Sequence, residues 1–124
     1  MKIIYSLGHS TKSIEEFIFE VNSVNASYIA DVRSKPYSRF VPQYNKNRLQ
    51  ELFGSKYIFM GDSLGGMDDD ISFEKFMFGI EKLSNLAKDH IVVFFCSEKD
   101  YKKCHRHKKI TPELEIKGFK VIHL

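Results

Sequence analysis

Four short stretches of the chain carry side chains able to move protons, grip anions or attack as nucleophiles. His9-Ser10-Thr11 offers an imidazole and two hydroxyls, and Asp31-Val32-Arg33-Ser34 a carboxylate, a guanidinium and a hydroxyl. Cys96-Ser97-Glu98-Lys99 and Cys104-His105-Arg106-His107 add two thiols, two imidazoles and further charge. The chemistry these types permit is acid–base or thiol attack on an anionic substrate. His9 or Glu98 would transfer the proton, and Asp31 would orient Arg33 or His9. Cys96 would be a nucleophile if a helix end and Lys99 or Arg106 favour its thiolate; the plainer reading is a small buried hydrophobe. Arg33, Arg39, Arg106 and Lys99, with Ser10, Ser34 and His105, would bind the substrate's negative groups.

Other chemistries fit less well. Cys96, Cys104, His105 and His107 are four possible zinc ligands, but their spacing is not that of a finger or ribbon, and neighbours 104 and 105 are awkward together. No metal is therefore assigned. A Cys96–Cys104 disulfide is sterically conceivable but disfavoured in a reducing compartment. A Cys-x5-Arg phosphatase-like loop would need arginine at position 102, where the chain has Lys102. Gly61-x-x-x-Gly65-Gly66 lacks the lysine and hydroxyl of a P-loop. Asp68-Asp69-Asp70 reads as an acidic run before a helix, favoured by the macrodipole, as readily as a cation site. His123 reads as structural.

These stretches need a scaffold, and the hydrophobic pattern supplies one. Lys2 to Leu7, Ser27 to Val32, Lys56 to Met60, Ile91 to Phe95 and Phe119 to His123 are strand-like runs. Between the first two, Ser13 to Glu16 forms a capping box, and Ile14, Phe17, Ile18 and Val21 recur at helical spacing to about Ser23. Pro36 and Pro42 discourage helix in the long connection from Arg33 to Tyr44, after which Asn45 can cap a short helix. Phe73, Phe76, Met77, Ile80, Leu83 and Ala87 mark a longer amphipathic helix, and a last helix is expected over about 107–117, ended by Gly118. Strictly alternating strands and helices predict an α/β three-layer sandwich with a mostly parallel five-stranded sheet, Rossmann-like. The order 3-2-1-4-5 is favoured, with 2-1-3-4-5 as its rival. The clusters after strands one, two and four, together with Gly61 to Gly66 after strand three, then fall at the carboxyl edge, where open α/β sheets bind ligands.

Length allows one domain over residues 1–124. A composition of 43% hydrophobic and 28% charged residues excludes wholesale disorder. The formal charge of +3 is too small to demand nucleic acid, yet basic residues concentrate at 33–48 and 99–109. In the first cluster Lys35, Tyr37, Arg39, Phe40 and Tyr44 alternate cations with aromatic faces, a composition suited to a nucleotide base or to pinning a loop. No run approaches the ~20 apolar residues of a membrane span. A chain with two cysteines and no leader-like start is expected in the cytoplasm.

Together the segments Gly8-His9-Ser10-Thr11, Asp31-Val32-Arg33-Ser34-x-Pro36-x-Ser38-Arg39-Phe40, Leu64-Gly65-Gly66 and Cys96-x-Glu98-x5-Cys104-His105-Arg106 resemble the uncharacterised domain of unknown function 488 family, in order along nearly the whole chain. The resemblance implies no activity and no cofactor, beyond loose DNA-repair labels on some members. Its signature is largely polar, which favours a shared site over an architectural motif. Three functions compete: an enzyme acting on a phosphorylated or nucleotide-like substrate, a non-catalytic module binding nucleic acid or a partner protein, and a structural zinc domain.

Overall fold

The structure, a computed structural model, describes residues 2–65, 71–98, 100, 102 and 104–124, without the side chains of residues 105–107. The elements run β1 (Lys2–Gly8), α1 (Ile14–Ser23), β2 (Tyr28–Asp31), α2 (Lys46–Phe53), β3 (Tyr57–Phe59), α3 (Gly61–Leu64), α4 (Phe73–Asp89), β4 (Val92–Cys96), α5 (His105–Ile116) and β5 (Phe119–His123). The expected alternation of strands and helices is present, and every strand pairing is parallel. Ser13 caps α1 by accepting from the Glu16 amide at 3.2 Å, and Ser72 caps α4 through the Lys75 amide at 3.1 Å. Asn45 stands at the head of α2 but does not cap it; its Oδ1 accepts from the Ser38 amide instead, at 2.7 Å. Pro42 opens a 3-10 turn, Pro42–Tyr44, its missing N–H costing nothing at a first helical position.

The strand order is 3-2-4-1-5, not 3-2-1-4-5: β4 lies between β2 and β1. All five residues of β4 are buried, so it takes the place where both edges and both faces are covered. Its neighbour β1 opens on exposed Lys2 and Ile3, and carries the polar Ser6. The buried Ser6 hydroxyl meets His123 Nδ1 of β5, a pairing available only with β1 and β5 adjacent.

Side-chain alternation divides the core in two. Leu7 of β1, Ile29 of β2, Tyr57 of β3, and Val93 and Phe95 of β4 pack against Phe17 and Val21 of α1 and Leu49 of α2. On the opposite face Ile4, Ala30, Val92, Phe94 and Cys96 pack against Ile80 and Leu83 of α4 and Ile110 and Leu114 of α5. The chain thus leaves β1 toward the α1 face and leaves β4 toward the α5 face. These adjacent strands form the topological switch point of the sheet.

His123 gives the fold an acid sensitivity. Burial holds its imidazole below the ordinary value near 6.5, with Glu115 opposing. A lowered folded-state pKa means that the unfolded chain binds the proton more readily. The associated stability is complete above about pH 6.5 and is lost as pH falls through the folded-state value. His123→Gln is therefore expected to flatten the pH dependence of urea unfolding below pH 6.5. An identical slope in variant and wild type would refute the assignment.

Candidate functional site

The β1–β4 ladder continues past the strand ends and joins their loops. The His9 amide donates to the Cys96 carbonyl and the Ser10 amide to the Ser97 carbonyl, each at 2.9 Å. On the other side of β4, the Val32 amide donates to Phe95 at 3.1 Å. Residues following β1, β2 and β4 are thereby brought to one edge. Ser10 turns the chain with a φ of +49°, left-handed territory that a serine seldom occupies, and the turn closes from the Lys12 amide to the His9 carbonyl at 3.1 Å.

Beneath that edge lies a buried polar chain built on Asp31. Oδ1 accepts from the Arg33 amide at 3.1 Å and from Arg33 Nε at 2.8 Å; Oδ2 accepts from Arg33 Nη2 at 2.8 Å and from the Tyr57 hydroxyl. Asp31 and Arg33 sit two residues apart at the end of a strand, so their side chains share a face and the bidentate pair forms locally. Arg33, 4% exposed, also donates from Nη2 to the Tyr44 carbonyl at 2.7 Å and from Nη1 to His9 Nε2 at 3.3 Å. Four of its five N–H groups are thus committed. The fifth, on Nη1, has no protein acceptor among the described residues. Its guanidinium lies over the Phe95 ring at 5.2 Å.

The same partners set the state of His9. Its Nδ1 lies 2.8 Å from the Ser10 carbonyl, which can only accept, so Nδ1 carries the proton and Nε2 faces the guanidinium as an acceptor. The ring stacks on Tyr44 at 4.2 Å and 16°. Tyr44 is in turn fixed by its hydroxyl, which donates to the carbonyls of Lys12 at 2.7 Å and Ser13 at 2.9 Å. Burial pushes that phenol up to about 12, helped by Glu16, Glu20 and Glu15. Burial, then the charge of Asp31, drives Tyr57 upward as well. Both phenols stay protonated and donating at neutral pH.

Over this chain opens a cleft of about 370 Å³, within the usual range for small-molecule sites. Its floor is His9 and Arg33; Ser10, Thr11, Ser38 and Ser97 contribute hydroxyls, and Lys35 an ammonium. Tyr37 and Phe40, 64% and 90% exposed, stand at its rim with Val41. Among the described residues that line it there is no carboxylate. The segment carrying the rim is held in shape from within: Ser38 Oγ accepts from the Phe40 amide at 3.0 Å, and the Pro36 carbonyl accepts from the Lys46 amide at 2.9 Å.

Of the residues singled out by sequence, the structure gathers His9, Ser10 and Arg33 at the cleft, with Asp31 directly below. Cys96, Glu98, Ser34 and Arg39 are not among the described residues that line the cleft. Cys96 points to the α4/α5 face, where its sulfur meets Cys104. Glu98 is exposed and accepts from the Asp100 amide, and Arg39 is exposed outside the cleft. Ser34 packs behind it, against Gly65. Lys99, Gly66, Asp68 to Asp70 and the side chains of His105, Arg106 and His107 lie outside the described residues. Among the described residues no group of three or more His, Cys, Asp or Glu side chains is placed to hold a metal, and no helix is long and apolar enough to cross a membrane. Sequence reasoning missed Tyr57 as a donor to Asp31, because a tyrosine in a strand looks like ordinary core.

A model of the family described as "Domain of unknown function DUF488" matches residues 13–74. That half of the chain holds Asp31, Arg33, Tyr44 and Tyr57, together with the cleft rim. No curated protein and no solved structure matches.

Proposed function

The chain belongs to the DUF488 family, whose description carries no activity, and we propose that it takes a phosphorylated, nucleotide-like small molecule in the cleft above Arg33. The observation that carries this reading is the lining itself: among the described residues it offers one ammonium, one guanidinium N–H without a protein acceptor and four hydroxyls, with two exposed aromatic rings at the rim and no carboxylate. Hydroxyls and cations grip a phosphate. Open aromatic faces stack a base. Asp31 balances the charge of Arg33 but leaves it rigidly aimed, so the ligand meets a preorganised donor with no side-chain ordering left to accomplish.

In the catalytic form of this reading, His9 is the cleft's acid–base group. Its Nε2 would exchange Arg33 for a substrate proton, and the stack on Tyr44 would keep the ring in place. Cys96, turned to the other face, takes no part.

Calorimetric titration with AMP, ADP and adenosine tests the proposal. The phosphorylated compounds are expected to bind and adenosine to bind at least tenfold more weakly. Lys35→Ala is expected to cost roughly tenfold, about the ~1.5 kcal/mol of one hydrogen bond to a charged group. Failure of every phosphorylated compound to bind at millimolar concentration would end the reading. The exposed Phe40 and Tyr37, beside Lys35 and Arg39, also fit a single strand of nucleic acid. Oligonucleotides binding tighter than mononucleotides, with a steep salt dependence, would move the assignment there.

A further inference from the structure

The two cysteines are eight positions apart in the chain, yet their sulfurs are 3.1 Å apart. That is closer than an ordinary sulfur–sulfur van der Waals contact, and about 1 Å longer than a disulfide bond. Both side chains are buried in the core beneath α5, and no disulfide joins them. Cys96 closes the central strand; Cys104 is the N-cap residue of the twelve-residue α5. Each sulfur is thus mounted on an element that holds it, and the contact is a built one.

The geometry points to a redox-active dithiol: Cys96 and Cys104 close reversibly into an intramolecular disulfide under an oxidised low-molecular-weight thiol. Cys104 is the attacking group, since the amino end of α5 favours negative charge on its sulfur. Its thiolate attacks the small-molecule disulfide, whose S–S bond breaks to expel one thiolate and leave a mixed disulfide on Cys104. Cys96, whose thiol donates toward the Glu98 carbonyl at 3.7 Å, attacks the same Cys104 sulfur, its proton passing to the departing small thiolate. The second small thiolate leaves. The protein loses two electrons and two protons, and the oxidant becomes two thiols.

The position gives the bond something to act on. Cys96 presents its sulfur to the α5 face while its carbonyl holds the His9 amide, and the next residue, Ser97, lines the cleft. Closing the disulfide pins the start of α5 to the strand end that floors the cleft. The inference stands whether or not the cleft binds a nucleotide.

The test equilibrates the full native chain, without oxygen, in buffers of graded reduced-to-oxidised glutathione ratio, then quenches with acid and reads intact mass. The expected result is a single transition in which both thiols disappear together. The monomer loses two hydrogen atoms, and a tryptic peptide pair links Cys96 to Cys104. In Cys96→Ser the remaining thiol is expected to stop at the glutathione adduct. Two thiols left unreacted in fully oxidised buffer would overturn the proposal. So would wild type accumulating glutathione adducts or cross-linked dimers instead of the internal bond, or a stoichiometric zinc ion released when the thiols are blocked.

Discussion

Asp31→Ala is expected to destabilise the fold by about 3–5 kcal/mol, the range for removing one partner of a buried ion pair. The carboxylate is fully buried and Arg33 almost so, and four donors converge on it. Truncation strands the guanidinium and the Tyr57 hydroxyl at once. Arg33 then draws away from His9 or from the Tyr44 carbonyl to seek water, loosening the cleft floor. Urea unfolding measures the loss directly. The paired replacement Asp31→Leu with Arg33→Met should be less damaging than Asp31→Ala alone, because much of the cost lies in an orphaned charge. A loss under ~1 kcal/mol for the single variant would mean that Arg33 already reaches solvent.

Gly61→Ala should cost about 3 kcal/mol or more, the upper end for overpacking against atoms that cannot move aside. A Cβ at position 61 would lie 1.8 Å from the Arg33 carbonyl oxygen and 2.7 Å from its carbon. Both are backbone atoms two residues past β2, where the Val32 amide bonds to Phe95 and the Arg33 amide to Asp31. The added methyl can be accommodated only by displacing the peptide that aims Arg33, so nucleotide affinity should fall along with stability. Gly79→Ala is the comparison: there the nearest atom is the Ser63 hydroxyl at 2.4 Å, the end of a side chain with some freedom to turn. Thermal unfolding of both variants gives the ranking. Equal losses would show that the Arg33 backbone yields as easily as a side chain.

Much of this architecture could be read in advance from local chemistry. The Ser13 cap, the helix it starts, the long amphipathic α4 and the wholly apolar β4 each follow from residue type and period. Asp31 and Arg33 had to share a face because they are two apart on a strand. Strand order was not legible, since exchanging β1 and β4 leaves the hydrophobic pattern unaltered. What separates the two orders is long-range, such as the match of Ser6 with His123 across 117 positions. Cys96 and Phe95 alternate in direction, and the packing of the two core layers shows that Cys96 faces α4 and α5. Glu98 and Arg39 carry suitable groups, but nothing in their spacing reports that their side chains end in solvent. Nor does sequence report that Ser34 Oγ lies where a Cβ on Gly65 would stand.

Tyr44 serves as the far abutment of an arch. Its carbonyl holds Arg33 at one foot, while its hydroxyl and the Gln43 amide grip the Lys12 carbonyl at the other. With both feet clamped, the ends of the span are fixed by groups outside it. Doubling the length of such a span costs only about 0.6 kcal/mol in closure entropy. Lengthening the segment 35–41 is therefore expected to leave the polar chain underneath as it is.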